Sequence, residues 1–558
     1  MSHYSAPIQE YLFLMSCFKY DHPSYDLETS KSILSQVDAI TRDIILDSNG
    51  IGDQQHPIYN TQDHSVTMPS EFVTIYKTLK EQGISSLAHS EKYGGGNAPQ
   101  TLMGLLSEIL LSGNSALAMC QGLTSSAILC LEDSADESIK SQYLEPLISG
   151  RYSGTMCLTE PQCGTDLGLI KTKAKAYDNH FQLTGSKIWI TFGEHNLSEN
   201  IVHLVLARLP DAPEGIKGIS LFLVPKFLAD GTRNSIHCGG LEDKMGIHGA
   251  PTCVMNLEHA HGWLIGEPNK GMRSMFVMMN DARIYVGIQG LALSEIAYQT
   301  ALTFCKQRRQ SRSLNKKRQQ LDESADIILV HPDVRRMLLA CKSTNEAMRA
   351  LIFMTQQKMD QKDHEIVSLL TPVIKAFTTS RSFDNISTAL QSMGGCGYVK
   401  DCYIEQYFRD ARISMIYEGT NGIQALDLIG RKLPRDNGKQ YKRLIDMMNQ
   451  DKEHFPKTYQ EALDSSIEKL NDATTWLMKH AITDPESGAS VAHDYLQIMA
   501  WTLLCYSWGK MVSHAGIDSE KDKTGLYFIE HELPTIDLHL TRLKKGSQYL
   551  MQHDDNEW

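Results

Sequence analysis

Hydrophobic residues recur at three- and four-residue steps along most of this chain, and at two-residue steps in one central region. The first helical region extends from about Leu27 to Gly150, and one of its stripes consists of Ile33, Val37, Ile40 and Ile44. This spacing is typical of amphipathic helices that bury one face. The stretch "SEKYGGGNAP" interrupts the pattern with glycines and a proline, and it is predicted to be a loop.

From Ser153 to about Glu267 the period changes to two, which predicts β-strands. "FQLTGSKIWITF" predicts two short strands joined by a Gly-Ser turn, with inward positions at Phe181, Leu183, Ile188, Ile190 and Phe192. "NIVHLVLARL" and "GISLFLVP" are predicted to be further strands.

Helical patterns return from Gly271 to Lys432 and are broken by the polar stretch "SRSLNKKRQQLDESAD". After the linker "LPRDNGKQ", a last helical segment carries two apolar stripes: Tyr459, Leu463, Ile467 and Leu470, then Val491, Tyr495, Met499 and Leu503. This is not the βαβ alternation of a Rossmann unit, and no G-x-G-x-x-G follows a strand. Any dinucleotide is therefore expected to bind outside a Rossmann pocket.

The predicted fold class is mostly α with a central β domain, either a barrel or a sandwich. The predicted domains are an N-terminal extension (1–36), an N-terminal helical domain (37–155), the middle β domain (156–268), a four-helix bundle (269–434) and an extra C-terminal helical domain (440–558).

Composition narrows the function classes. The 558 residues are 42% hydrophobic and 22% charged, as in globular proteins, and the net charge of −12 argues against a nucleic-acid partner. No apolar run reaches the roughly 20 residues of a membrane-spanning helix. The start "MSHYSAPIQEYLFLMSCF" lacks leader features, and the twelve cysteines are scattered, so a reducing, cytoplasmic location is expected. His259 and His261 in "EHAHG" favour a solvated loop over a metal site, and no metal is predicted.

Several stretches together resemble one family, the acyl-CoA dehydrogenases. "MCLTEPQCGTD" and "KIWITF" resemble its two flavin-contacting stretches, and "GMRSMFVMMNDAR" resembles the start of its C-terminal bundle. "QSMGGCGYVKDCYIEQYFRDARISMIYEGTN" resembles the signature that closes the bundle. The N-terminal extension and the segment after Asp436 resemble the larger branch of the family, which includes the 3-methylmercaptopropionyl-CoA dehydrogenases.

The resemblance implies FAD as cofactor and an acyl-CoA as substrate, with α,β-dehydrogenation to the trans-2-enoyl-CoA in fatty acid β-oxidation. It assigns flavin contacts to Met156, Leu158, Thr159, Thr165, Trp189, Ile190, Thr191, Arg308, Gln391, Gly394, Gly395, Thr420 and Asn421. Substrate contacts fall on Thr165, Asn280, Arg283, Tyr417 and Gly419. The loop around Gln391 to Gly395 is expected to reach the FAD of a neighbouring subunit, which implies a homodimer or a larger homo-oligomer. Electron-transfer flavoprotein or a similar acceptor is the expected redox partner.

Glu418 in "YEGT" matches the family's catalytic base. An α,β-desaturase must remove a weakly acidic proton next to a thioester carbonyl, and a carboxylate can do this when burial raises its pKa. The ordinary alternative is an acid near a helix N-terminus, where the dipole is worth only about 0.3–1 kcal/mol. Two rival functions stay open: a flavin oxidase of the same fold, and a non-enzymatic DNA-binding flavoprotein. The acidic ending "QHDDNEW" argues against the second.

Overall fold

The computed structural model describes residues 4–481 and 484–558. Within them the chain forms nine β-strands: β1 (Ile58–Tyr59), β2 (Val66–Thr67), β3 (Tyr152–Cys157), β4 (Lys173–Tyr177), β5 (His180–Thr191), β6 (Asn200–Arg208), β7 (Ile219–Pro225), β8 (Ile236–Leu241) and β9 (Thr252–Ile265).

The same residues form twenty α-helices: α1 (Ile8–Cys17), α2 (Leu27–Ile40), α3 (Leu46–Gln54), α4 (Ser70–Glu81), α5 (Gln100–Gly113), α6 (Ser115–Ser134), α7 (Glu137–Ile148), α8 (Gly271–Gln307), α9 (Pro332–Asp360), α10 (His364–Val373), α11 (Thr379–Ser392), α12 (Gly395–Tyr398), α13 (Ile404–Arg412), α14 (Asn421–Asp427), α15 (Lys439–Lys452), α16 (Lys457–Ala481), α17 (Pro485–Ser490), α18 (Ala492–Ala515), α19 (Glu520–Tyr527) and α20 (Thr535–Leu543). The chain divides into two compact units, one of Val37–Tyr285 and one that combines Met1–Gln36 with Val286–Trp558.

The Val37–Tyr285 unit contains the predicted β region. Its strands pair in the order β3-β6-β4-β5-β9-β7, and β7 also pairs with β6, so five of the strands close into a ring. β6 and β7 are buried along nearly their whole length, which explains why both read as continuous apolar runs rather than as alternating ones. The predicted strands in "NIVHLVLARL" and "GISLFLVP" are confirmed.

The predicted Gly-Ser turn is wrong. β5 continues through Gly185 and Ser186, which pair with Leu257 and Asn256 of β9. Gly185 is required by close packing instead, because a Cβ there would lie 2.4 Å from the hydroxyl oxygen of Thr172. Glycine in a strand interior can mark such a close approach, and sequence alone does not separate it from a turn.

Helices of this unit pack against the sheet; α6 and α7, for example, contact β3. The shared core includes Leu131, Leu144, Leu204, Leu221 and Met275, all fully or almost fully buried. The loop prediction for "SEKYGGGNAP" is confirmed, since only a short 3₁₀ turn, Glu91–Tyr93, forms there.

The predicted stripe along α2 and the turn that follows it is partly wrong. Val37 is buried, but Ile44 is 40% exposed. A π-helical turn, Thr41–Ile45, continues α2, and its wider period moves the buried positions to Thr41 and Ile45.

The other unit is helical in its described residues. α18 is buried on almost every side and packs against α9, α16 and α20. A helix that is apolar all round belongs in a core, and α18 holds the extra C-terminal helices to the bundle. Both predicted stripes of this region, on α16 and on α18, are confirmed as buried.

The N-terminal helix α1 also packs on α18 and buries Tyr11 and Leu14 completely. The predicted fold class, helical regions flanking a central β domain, is confirmed. Among the described residues, no helix has both the length and the apolar character needed to cross a bilayer.

Candidate active site

The first stretch expected to bind flavin follows β3 in the Val37–Tyr285 unit. Met156, Leu158 and Thr159 are all half-buried. The carbonyl oxygen of Thr159 accepts a hydrogen bond from the backbone N–H of Ile188, at 2.9 Å. Ile188 lies on β5, directly before Trp189. The fold therefore brings together two stretches that are separated by about 30 residues in the sequence.

A buried ion pair between Lys187 and Glu160 stabilises the contact between these two stretches. Lys187 Nζ lies 2.8 Å from Glu160 Oε1 and donates a second hydrogen bond, of 3.0 Å, to the carbonyl of Leu158. The Glu160 carboxylate also accepts from the backbone N–H groups of Lys171 (2.6 Å) and Thr172 (3.0 Å). The pair therefore ties both ends of the loop that carries Thr159 and Thr165 to strand β5.

Opposing effects set the charge of this pair. Burial by itself would raise the pKa of the Glu160 carboxyl, but the charge of Lys187 and the hydrogen bonds to the carboxylate bring that pKa down to about 2. Burial lowers the pKa of Lys187, and the Glu160 charge opposes that decrease.

Trp189 breaks the regular pairing of β5. Its φ of 58° is left-handed, and the register with β9 shifts between Lys187 and Ile190. Ile190 is buried, whereas 60% of Trp189 is exposed. A bulge of this kind redirects a side chain, and here it leaves the indole of Trp189 largely exposed.

The residues around this bulge fit a flavin ring. Within the described part of the chain, no protein group hydrogen-bonds the hydroxyls of Thr159, Thr165 or Thr191. Free hydroxyl groups and a flat exposed indole suit an isoalloxazine, which is a planar ring with polar edges.

A second group of predicted site residues lies in the helical unit, on the loop before α14. Glu418 and Gly419 both adopt left-handed backbone angles, with φ of 56° and 85°. Glycine tolerates this conformation, but for glutamate it costs of order 1–3 kcal/mol and usually persists only at functional positions. The predicted base therefore lies at one of several positions where the described chain holds a non-glycine residue in this strained conformation.

Helix capping does not account for Glu418. The N-cap of α14 is Thr420, whose hydroxyl accepts from the N–H of Ile423 at 3.3 Å, and the first turn has no acidic residue. Thr420, and not Glu418, is thus the N-cap of α14, and Glu418 lies two residues before this cap.

Side chains from neighbouring segments hold the loop. Gln424 Nε2 donates to the carbonyl of Glu418 at 3.0 Å, and Lys375 Nζ donates to the carbonyl of Gly419 at 2.7 Å. Tyr417 donates its hydroxyl proton to Gln289 Oε1 on α8. Burial, and then the charge of Glu418, raise the pKa of Tyr417, so this phenol stays protonated as a donor.

The predicted substrate residues of the other unit differ in exposure. Arg283 is only 4% exposed. Asn280 is half-buried, and its Oδ1 is a buried atom with no hydrogen bond to the described protein residues. A buried acceptor without a partner is costly, which is consistent with a polar ligand group at this position.

The structure distinguishes the two adjacent arginines at the end of α8. Arg309 is held by the carbonyl of Ala325 (2.9 Å) and by Glu323 (3.2 Å). Arg308 is exposed, and its guanidinium makes no ion pair or hydrogen bond with any described residue. Only Arg308 has its charge available for an anionic ligand.

The loop at the end of α11 is open to solvent. Gln391, Gly394 and Gly395 are exposed, and Gly394 has a φ of 60°. A Cβ added at either glycine would meet nothing within 4 Å. Space at both glycines permits close approach of a ligand or of another chain.

One histidine group has the spacing of a possible metal site. His493, Asp494 and His539 place ligand atoms within 4.8 Å of one another, and His539 Nδ1 and Asp494 Oδ1 share a 2.7 Å hydrogen bond. Burial lowers the pKa of His493, the charge of Asp494 opposes this shift, and the charges of His539 and Arg542 lower the pKa further. A guanidinium beside the group disfavours a bound cation, so we assign no metal there.

Sequence reasoning missed two buried lysines beside the candidate site. Lys187 lies inside the quoted motif "KIWITF" and Lys375 inside the apolar run "TPVIKAF". The sequence did contain an indication of these buried lysines, namely a single lysine within an apolar run. Lysine is rarely buried without a specific partner, so such a position points to a specific contact.

The chain matches four domain profiles in order. These are the acyl-CoA dehydrogenase N-terminal domain (52–151), middle domain (155–260) and C-terminal domain (269–433), followed by an acetyl-CoA dehydrogenase C-terminal-like domain (442–554).

Relatives and solved structures agree with these profiles. The chain is 39% identical over 469 residues to 3-methylmercaptopropionyl-CoA dehydrogenase of Ruegeria pomeroyi, covering 80% of this chain and 79% of that one. Caenorhabditis elegans ACDH-11 in complex with C11-CoA has a similar fold, with a TM-score of 0.83 at 18% identity over 99% of this chain and 96% of that one. Bacillus anthracis acyl-CoA dehydrogenase complexed with FAD gives a TM-score of 0.77 at 20% identity over 98% and 92%.

Proposed function

Because this chain belongs to the FAD-dependent acyl-CoA dehydrogenase family, we propose that it converts an acyl-CoA to the trans-2-enoyl-CoA with Glu418 as the base. The observation that carries the proposal is the backbone of Glu418. A strained, left-handed glutamate is held on a fastened loop, while Thr420 supplies the helix cap.

The flavin-binding residues come from both stretches around β5 and from the helical unit. Thr159, Thr165 and Thr191 offer hydroxyl groups to the ring, and Trp189 offers its exposed face. Arg308 pairs with the pyrophosphate, a charge-assisted contact suited to a guanidinium. FAD held at these residues would supply flavin N5 as the acceptor for the hydride that leaves the β-carbon of the substrate.

Glu418 removes the proton on the α-carbon and holds it on its carboxyl group. The backbone N–H of Glu418 donates to the thioester carbonyl oxygen and stabilises the enolate charge that develops there, as in an oxyanion hole. Gly419, with no side chain, leaves this approach open. Asn280 and Arg283 bind the CoA end, and Thr165 contacts the pantetheine.

We also propose that Gln391, Gly394 and Gly395 complete the FAD site of a second copy of the chain. Their exposure and the open space at both glycines support this role. An electron-transfer flavoprotein would reoxidise the flavin.

The test of the base is Glu418→Gln, which keeps the shape of the side chain but cannot accept a proton. A general base contributes typically 10²–10⁴-fold, so flavin bleaching on mixing with acyl-CoA should slow by at least that factor. FAD content and acyl-CoA binding should not change. The matched control is Glu405→Gln, which removes a carboxylate paired with Arg409 on α13 of the same unit. Flavin reduction at an undiminished rate in Glu418→Gln would remove this residue from the mechanism.

The substrate is identified with a panel of acyl-CoA thioesters assayed by flavin bleaching. The panel includes 3-methylmercaptopropionyl-CoA, the compound in the name of the Ruegeria relative, beside straight-chain thioesters from butyryl-CoA upward. Peroxide formation in air without an added electron acceptor would identify an oxidase instead.

A further inference from the structure

Lys375 is a fully buried lysine that contacts the loop of Glu418 and has no role in the proposed chemistry so far. It lies in a π-helical turn, Ile374–Thr378, that joins α10 to α11. π turns are rare and are often found at functional sites, because the wider turn places a side chain where a regular helix would not.

The Lys375 ammonium is directed at the loop of the base. Its Nζ donates to the carbonyl oxygen of Gly419 at 2.7 Å and to Asn421 Oδ1 at 3.0 Å. These acceptors stand on either side of Thr420, the N-cap of α14. One side chain therefore fixes the loop at two points, directly after the left-handed Glu418.

Asn421 extends this connection back to the helix. Its Nδ2 donates to the carbonyl of Ala376 at 3.0 Å and to Ser380 Oγ at 2.8 Å. The amide of Asn421 thus accepts from Lys375 while it donates to the π turn and to α11. This arrangement uses both ends of the amide and fixes its orientation.

A buried ammonium is expensive, and most of that cost is recovered only through well-formed hydrogen bonds. Hydrogen bonds from a charged donor are roughly twice as strong as neutral ones. The ammonium of Lys375 donates to backbone and amide oxygens of the loop that directly follows the left-handed Glu418. A neutral side chain would hold the Gly419 carbonyl less firmly.

We propose that Lys375 is a positioning residue for the dehydrogenation. It holds the carbonyl of Gly419, keeps the Glu418–Gly419 pair left-handed through turnover, and so maintains the direction of the Glu418 carboxylate. The inference rests on the proposed role of Glu418 as the base.

The test compares Lys375→Met with a matched control, both as FAD-loaded enzyme. Lys432→Met is the control, since Lys432 also lies in a π turn of this unit, Leu428–Lys432, and donates to Ser368 Oγ at 2.8 Å, away from the base loop. Misplacing a reacting group by about 1 Å can cost on the order of 100-fold, so kcat of Lys375→Met should fall roughly 10- to 100-fold. KM, FAD stoichiometry and the kcat of Lys432→Met should stay within about twofold of the wild type.

A second readout separates positioning from general structural damage. Proton abstraction becomes more rate-limiting when the base is misdirected, so the kinetic isotope effect with α-deuterated acyl-CoA should rise in Lys375→Met only. Unchanged kcat, or a loss explained by FAD release with no change in the isotope effect, overturns the inference.

If Lys375→Met does not accumulate as FAD-loaded protein, the same measurements of kcat, FAD content and isotope effect are made on Lys375→Gln and judged by the same criteria. The parallel Glu418→Gln measurement distinguishes the two proposals. An active Glu418→Gln enzyme removes the proposed function, whereas an inactive one beside a fully active Lys375→Met enzyme removes only the role of Lys375.

Discussion

The buried pair of Lys187 and Glu160 should contribute measurably to stability, and Glu160→Gln tests this. The variant keeps the volume of the side chain but removes the charge that compensates the fully buried ammonium. The Glu160 carboxylate is surrounded by donors, namely Lys187 Nζ and the N–H groups of Lys171 and Thr172. In Glu160→Gln, the amide NH₂ group adds a further donor among them.

The magnitude follows from the pKa of Glu160. The folded value is about 2 against an ordinary value of 4.5. At about 1.4 kcal/mol for each pH unit, this difference corresponds to ~3 kcal/mol at neutral pH. A carboxyl group whose pKa is lower in the folded state than in the unfolded state stabilises the protein at any pH above its unfolded pKa. This contribution is therefore complete above about pH 4.5 and is lost as the pH falls toward 2.

The assay is thermal unfolding at pH 7 with saturating FAD, followed by flavin fluorescence and circular dichroism. For a domain of this size, ~3 kcal/mol corresponds to a fall in Tm of roughly 6–12 °C. The loop that carries Thr159 and Thr165 should loosen as well, so FAD should be released at a lower temperature than in the wild type.

Glu145→Gln is the matched control for this prediction. It breaks an ion pair with Arg151 in the same unit, at a distance of 2.6 Å, but both side chains are exposed. Exposed pairs are worth about 0–1 kcal/mol. The reasoning is refuted if Glu160→Gln lowers Tm no more than Glu145→Gln, or if the difference between Glu160→Gln and wild type persists unchanged below pH 3.

Two further predictions concern the cofactor. Arg308→Ala should weaken FAD binding roughly 10- to 100-fold, because a hydrogen bond to a charged group is worth about 1.5–3 kcal/mol. Lys306→Ala, in the last turn of α8, should not weaken it. Equal Kd values from fluorescence titration would contradict this. If Gln391 and Gly395 reach the FAD of a second copy, dilution until the oligomer dissociates should release flavin, as followed by light scattering and fluorescence together. A stable monomer with stoichiometric FAD would contradict the second prediction.

The sequence by itself determined the order of the regions and the chemistry they can support. Local patterns predicted the type of several elements: apolar runs predicted β6 and β7, and apolar stripes predicted α16 and α18. Such patterns are readable because the residues that form one buried face lie close together in the chain. The quoted motifs, in their order along the chain, together indicated the family for the same reason, since each short segment carries its own pattern of residues.

The tertiary structure alone decided which polar groups meet. The contacts that hold the Glu418 loop and the availability of Arg308 rather than Arg309 depend on partners elsewhere in the chain. Lys375 lies 44 residues before the carbonyl of Gly419 that it binds. Contacts over such separations are set by how helices pack, and the local pattern of apolar and polar residues does not encode them.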